Sequence, residues 1–155
     1  MEIKKLKTKK DCKIYDDLFS KLIKYESGFD KVILDSVKVS GFAEKHLDDK
    51  YVYMAYAKEG DSPIGFIFGF LKSSKGKVNS TNVFVVDGIY VEEEYRRQGV
   101  GKKLLDSFEY WINTIVDDKD YVIEITSIDS NTNAQGFYNH LGYGAVKTIV
   151  RKGAK

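Results

Sequence analysis

The sequence predicts an α/β sandwich, a mixed central sheet of about six to seven strands with helices on both faces, in the order β-α-α-β-β-β-α-β-α-β. Two observations carry this. Apolar residues recur at helical spacing in stretches that alternate with short β-rich runs. One of those runs ends in a Gly-x-Gly turn that opens directly into a helix. A chain of 155 residues is long enough for a real hydrophobic core, and one domain spanning 1–155 is expected.

Ile3 to Leu6 reads as a short first strand. Tyr15, Leu18, Phe19, Leu22 and Ile23 then repeat at helical spacing and predict an amphipathic helix from Lys9 to Tyr25, with Thr8 as its N-cap. In residues 26–50, Val32, Ile33 and Val37 suggest a short second helix interrupted by Gly41. Tyr51 to Ala57 is a strand, Glu59 to Pro63 a turn, and Ile64 to Leu71 the next strand. Lys72 to Lys77 reads as a hairpin loop, and Val83 to Val91 as the strand before the glycines. Leu104, Leu105, Phe108, Trp111, Ile112, Ile115 and Val116 then form one apolar stripe, the clearest helix in the chain. Asp117 to Asp120 breaks to a strand, Tyr121 to Thr126. Ala134, Phe137, Tyr138 and Leu141 mark a last helix closed by Gly142, and Tyr143 to Val150 is the final strand.

Composition narrows the function classes. Hydrophobic residues make up 43% and charged residues 31%, an ordinary balance for a soluble globular protein. A net charge of +2 is too small to point to nucleic acid. The single cysteine, Cys12, excludes an intramolecular disulfide and cysteine-based metal clusters, and no metal is expected. The N-terminus has no apolar signal core, and no run approaches the roughly 18 apolar residues of a bilayer span. A cytoplasmic protein without membrane partners is the expectation.

The chemistry concentrates at Arg96-Arg97-Gln98-Gly99-Val100-Gly101. Only three arginines occur among 25 basic residues, and two of them sit in this turn. Strand, glycine turn, helix aims unpaired backbone N–H groups at a phosphate. A nucleotide P-loop fails, because Gly101-Lys102 is followed by Lys103 and its first glycine would fall at Arg96. A dinucleotide fingerprint fails because its third glycine would be Leu104. A tight turn without a ligand is the plain alternative.

This stretch resembles the pyrophosphate loop of the GNAT superfamily, the acyl-CoA-dependent N-acetyltransferases, whose pattern is Gln/Arg-x-x-Gly-x-Gly/Ala. A second stretch, Asn131 to Tyr143, resembles the family's Asn-x-x-Ala-x-x-Phe-Tyr-x-x-x-Gly-Phe pattern, departing only in Tyr143 for Phe. The resemblance covers essentially the whole chain. It implies acetyl-CoA as co-substrate, with pyrophosphate on the backbone of Arg97, Gln98, Gly99, Val100, Gly101 and Lys102 and on the charges of Arg96, Arg97 and Lys102, a solvated helix face being the plain alternative for Lys102 and Lys103. It implies that Ile89, Tyr90 and Val91 line the pantetheine arm, with the backbone of Ile89 and Val91 pairing with its amides and Val91 N–H holding the acyl oxygen. It implies that Asn131, otherwise an N-cap, also binds that arm, and that Tyr138, otherwise core, points at the sulfur as general acid.

The acceptor is expected to be a small-molecule or peptide amine. Residues 26–50 hold six acids against four lysines, a local excess of acid that favours a cationic acceptor or is simply a solvated surface. Asp87, Glu92 and Glu124 lie nearby as candidate bases, with none singled out. A non-catalytic acyl-CoA sensor on the same fold is the alternative function. The C-terminal strand, as an edge, points to a homodimer.

Overall fold

The computed structural model describes residues 1–76, 78–117 and 119–153. Lys77, at the end of the expected hairpin loop, and Asp118, in the break after the long helix, lie outside them. The elements are β1 (Glu2–Lys5), α1 (Lys9–Ser27), α2 (Phe42–His46), β2 (Val52–Glu59), β3 (Ser62–Ser73), β4 (Asn82–Val91), a 3-10 turn (Glu93–Tyr95), α3 (Val100–Ile115), β5 (Tyr121–Ile125) and α4 (Thr132–His140). One mixed sheet runs in the order β1-β2-β3-β4-β5, antiparallel except for the parallel β4–β5 pair. A parallel pair needs a crossover, and α3 supplies it.

Period-two alternation along β2 divides the core. Tyr53, Ala55 and Ala57 face α3, where Leu104, Phe108, Trp111 and Ile112 pack on them. Met54 and Tyr56 face α1, against Tyr15, Leu18 and Leu22. Helix α1 starts where expected, because Thr8 and Asp11 close a reciprocal capping box. The Thr8 hydroxyl accepts the Asp11 amide at 3.1 Å, and the Asp11 carboxylate accepts the Thr8 amide at 2.9 Å.

Two expectations are corrected. Val32, Ile33 and Val37 form no helix. Val32 is 68% exposed, so the stretch has no surface to bury against. The short helix forms after Gly41 instead, where Ala43 is buried, its amide donates to Asp16 Oδ1 at 3.0 Å, and Phe42 packs edge-on to Phe19 and Phe68. The sheet has five strands rather than six to seven, because Tyr143 to Val150 runs as irregular chain. Val146, Ile149 and Val150 are all exposed and find no packing that would reward a ladder. The segment is held by polar ties, Lys147 to Glu124 at 2.9 Å and a two-pronged Arg151–Asp30 pair at 2.8 and 2.9 Å.

The feature that builds the site is a split in the sheet. The β4–β5 ladder covers Asn82 to Val86 only, while β4 continues to Val91. On the other edge, Phe68 pairs with Gly88 and Gly69 with Val86, so Asp87 is the extra residue of a β-bulge. A bulge bends its strand, and a cleft opens between Asp87–Val91 and the chain after Ile125.

Candidate active site

The cleft is about 870 Å³. One wall is the free edge of β4. The Glu92 amide donates to Ile64 O at 2.9 Å, so Glu92 and Tyr90 turn their backbone groups toward β3. By alternation, Ile89 and Val91 turn theirs into the cleft. Tyr90 also lines the cleft, and its side chain packs on the α1 side of the sheet. Its hydroxyl donates to Glu92 Oε2 at 3.0 Å, and burial, then the Glu92 carboxylate, push that hydroxyl up to about 12.

The second wall is the start of α3. Gly99 precedes it at φ +80°, in the left-handed region that only glycine enters freely, and makes no side-chain cap. The first amides of α3 thus have neither an intrahelical acceptor nor a side-chain cap among the described residues, a geometry that suits an anion. Gly101 allows a close approach, since a Cβ there would lie 3.1 Å from the Phe137 ring of α4. Val100 puts its side chain in the core and contributes only backbone. Arg97 sits at φ +64°, strained for a side-chain-bearing residue, and is exposed with no partner among the described residues. Gln98 donates its side-chain amide to Glu94 O at 2.8 Å. Lys102 is tied to Asp106 one turn on, at 2.8 Å. Arg96 also lines the cleft, but its side chain is engaged within the protein. Its Nε donates to Val91 O at 2.9 Å, and its guanidinium lies 4.6 Å from the centre of the Tyr25 ring.

Helix α4 closes the cleft. Asn131 caps it, accepting the Ala134 amide at 3.2 Å, and is 8% exposed on the cleft side with its NH₂ unpartnered among the described residues. Tyr138 also faces the cleft. Its hydroxyl has no hydrogen-bond partner among the described residues. Burial first, then the charges of Glu26 and Tyr143, push it well above the ordinary phenol value, so it stays protonated.

The three acids considered as bases separate. Glu124 pairs with Lys72 and Lys147, both at 2.9 Å. Glu92 pairs with Lys21 and takes the Tyr90 hydroxyl. Only Asp87 lies in the cleft, with no ion pair or hydrogen bond among the described residues. Sequence reading missed its companion, Glu26, from the last turn of α1. Burial, then the Asp87 charge, raise the Glu26 carboxyl. The signal was thin, since Glu26 was only one of six acids in a segment counted as a whole. Tyr25 was likewise noted only as the last residue of the expected first helix.

The sequence profile of the acetyltransferase (GNAT) family matches residues 15–143, and the chain belongs to that family. It is an acyltransferase. No curated protein sequence matches it significantly. Among solved structures, it is similar to the apo aminoglycoside 6'-N-acetyltransferase AAC(6')-IG from Acinetobacter haemolyticus, at 22% identity and TM-score 0.71, covering 100% of this chain and 99% of that one. A variant of the BH1408 protein from Bacillus halodurans superposes with TM-score 0.81 at 16% identity, covering 100% of both chains. The aminoglycoside N-acetyltransferase AAC(6')-Iy in complex with CoA gives TM-score 0.74 at 17% identity, covering 99% of both chains. At these identities the likeness is one of fold. Among the described residues, no helix is long and apolar enough to cross a membrane, and no cluster of His, Cys, Asp or Glu is grouped to hold a metal ion.

Proposed function

We propose that the protein moves an acetyl group from acetyl-CoA to the primary amine of a small molecule or peptide, by direct attack on the thioester with Tyr138 as general acid. The observation that carries this is the free, protonated Tyr138 hydroxyl in the same cleft as the uncapped start of α3 and the unpaired edge of β4. The residues fit coenzyme A. Uncapped amides and the Arg97 charge suit a pyrophosphate, and the Ile89 backbone, the Val91 N–H and the Asn131 NH₂ suit a chain of amides.

When bound, acetyl-CoA supplies the acyl thioester. The Val91 N–H donates to the acyl oxygen as negative charge grows on it. Tyr138 O–H would give its proton to the sulfur as the C–S bond breaks, an effect of about 100- to 10,000-fold for a positioned acid. Glu26 and Asp87, which have no ion pair among the described residues, hold the incoming ammonium. That ammonium passes one proton to water, so that the neutral amine attacks, and the second proton, released as the amide forms, returns through water to Tyr138. The cleft is thus basic at the α3 end, for an anion, and acidic at the α1 end, for an amine. A protein of the same fold, AAC(6')-Iy, was solved with the bisubstrate analog CoA-S-monomethyl-acetylneamine, which supports pairing these two ends in one reaction.

The test is release of free thiol from acetyl-CoA across polyamines, aminoglycosides and lysine peptides. Amine-dependent thiol release is expected. Tight acetyl-CoA binding with no turnover on any amine would overturn the acceptor reading. We further propose that one domain carries the activity, that it works in the cytoplasm, and that two copies pair through the C-terminal segment and the open β5 edge. The exposed Val146, Ile149 and Val150 support the pairing. Sedimentation showing only monomer at micromolar concentration would reject it.

A further inference from the structure

We propose that the adjacent arginines of the glycine turn do different work. Arg97 meets the pyrophosphate. Arg96 is a positioning residue that fixes the backbone of Val91 and clamps the end of β4 to the last turns of α1. The inference rests on the acetyl-CoA reading above.

The end of β4 needs such a clamp. Beyond Val86 it has lost its β5 neighbour, and only β3 holds it. A strand end paired on one side is free to tilt, yet Val91 N–H has to point at one spot in the cleft. Arg96 supplies the missing constraint from the open side. Its Nε–H donates to Val91 O at 2.9 Å, while the amide on the other end of that same peptide, Glu92 N, donates to Ile64 O at 2.9 Å. The Val91–Glu92 peptide is therefore pinned at both its oxygen and its nitrogen.

The guanidinium is pinned in turn. Its carbon lies 4.6 Å from the Tyr25 ring centre and 5.8 Å from the Tyr90 ring centre. The two rings meet edge to face at 6.4 Å, and Tyr25 packs on Phe29 at 5.1 Å. The Lys21–Glu92 ion pair and the Tyr90–Glu92 hydrogen bond join α1 to β4 a second time. A planar guanidinium can stack and donate in its own plane at once, and a lysine ammonium cannot. Arg97, one residue on, has none of these contacts. It is exposed in the left-handed backbone region beside the uncapped amides.

The test uses two probes, CoA and the phosphate-free pantetheine, with affinities measured by calorimetry or NMR titration on the full chain. Arg97→Gln should weaken CoA and leave pantetheine unchanged. Arg96→Gln should weaken both by the same factor, on the order of ten, as expected for losing one charge-assisted hydrogen bond. Arg96→Lys should be as damaged as Arg96→Gln, since charge alone does not make the clamp. In a ¹⁵N-labelled sample the Val91 amide resonance should shift in both Arg96 variants before any ligand is added and stay put in Arg97→Gln. If Arg96→Gln does not fold, Tyr25→Leu removes the stack alone and should weaken both probes together. Weakening of CoA alone in Arg96→Gln, rescue by lysine, or unchanged binding of both probes would each overturn the assignment. Wild-type protein that binds neither probe would sink the co-substrate reading and this inference with it.

Discussion

Helix α1 carries one carboxylate near each end, and the two sit in opposite circumstances. Asp11, in the first turn, is 1% exposed, and its oxygens accept from Lys4 Nζ at 2.6 Å, Tyr56 O–H at 2.9 Å, Thr8 O–H at 2.8 Å and the amides of Lys7 and Thr8. Burial pushes its carboxyl up, but these donors outweigh that and hold it well below the usual carboxylate range. Glu26, in the last turn, has no ion pair or hydrogen bond among the described residues, is raised by burial and by Asp87, and stands at the negative end of the helix dipole. A satisfied buried carboxylate holds a fold together. A half-buried one without a partner costs stability, and in the proposed reaction it holds the amine.

The comparison can be broken from either side. The largest effect is expected inside the cleft. Tyr138→Phe keeps the ring and removes the proton, so kcat should fall by a factor on the order of 100, about 2.7 kcal/mol of transition-state stabilisation. Acetyl-CoA affinity and melting temperature should hold. Because Tyr138 is raised well above the ordinary phenol, wild-type kcat should also show no loss from its ionisation up to about pH 10. Full kcat in the variant would make Tyr138 a packing residue.

At the satisfied end, Asp11→Ala leaves the buried Tyr56 hydroxyl and the α1 cap without a partner. A loss of about 2 kcal/mol in denaturant unfolding is expected, with the amine KM unchanged. A variant as stable as wild type would show that the network is not structural. Glu26→Gln should do the reverse. Stability should hold or rise, because an unpaired charge is removed, while the KM of a cationic amine rises about tenfold, the scale of one charge-assisted contact. Loss of stability with unchanged KM would erase the contrast.

The smallest effects are in pH. Asp30 is held down to about 2 by Arg151, below its unfolded value of about 3.9. Its stabilisation is therefore present above about pH 4 and lost as pH falls toward 2, and Asp30→Asn should flatten that limb of the acid unfolding curve. Glu26, raised in the folded state, has the opposite sign: its contribution weakens as pH rises from the usual carboxylate value through its raised one. Glu26→Gln should remove that slope, and an unchanged slope would place Glu26 in ordinary solvent.

Local signals proved dependable where one stretch of chain satisfies itself. Thr8 and Asp11 close their box within one turn, and the stripe from Leu104 to Ile112 is buried as its spacing requires. The glycine turn was legible for the same reason, since Gly99 answers to its own φ. The expected second helix and last strand failed because their apolar residues were counted without a surface to meet. Val32 and Val150 are apolar in the sequence and exposed in the fold.

The sequence by itself determined the order of the elements down to α4, the glycine turn that opens α3, and the places of Asn131 and Tyr138 at the cap and in the body of α4, because capping, periodicity and glycine conformation act within a few residues. The tertiary structure alone decided that Asp87 is the extra residue of a bulge, that Glu26 shares its cleft from 61 positions away in the chain, and that Arg96 binds Val91 O and stacks on Tyr25. Each of those depends on which elements pack side by side, and charge, burial and stacking between distant segments exist only once they do.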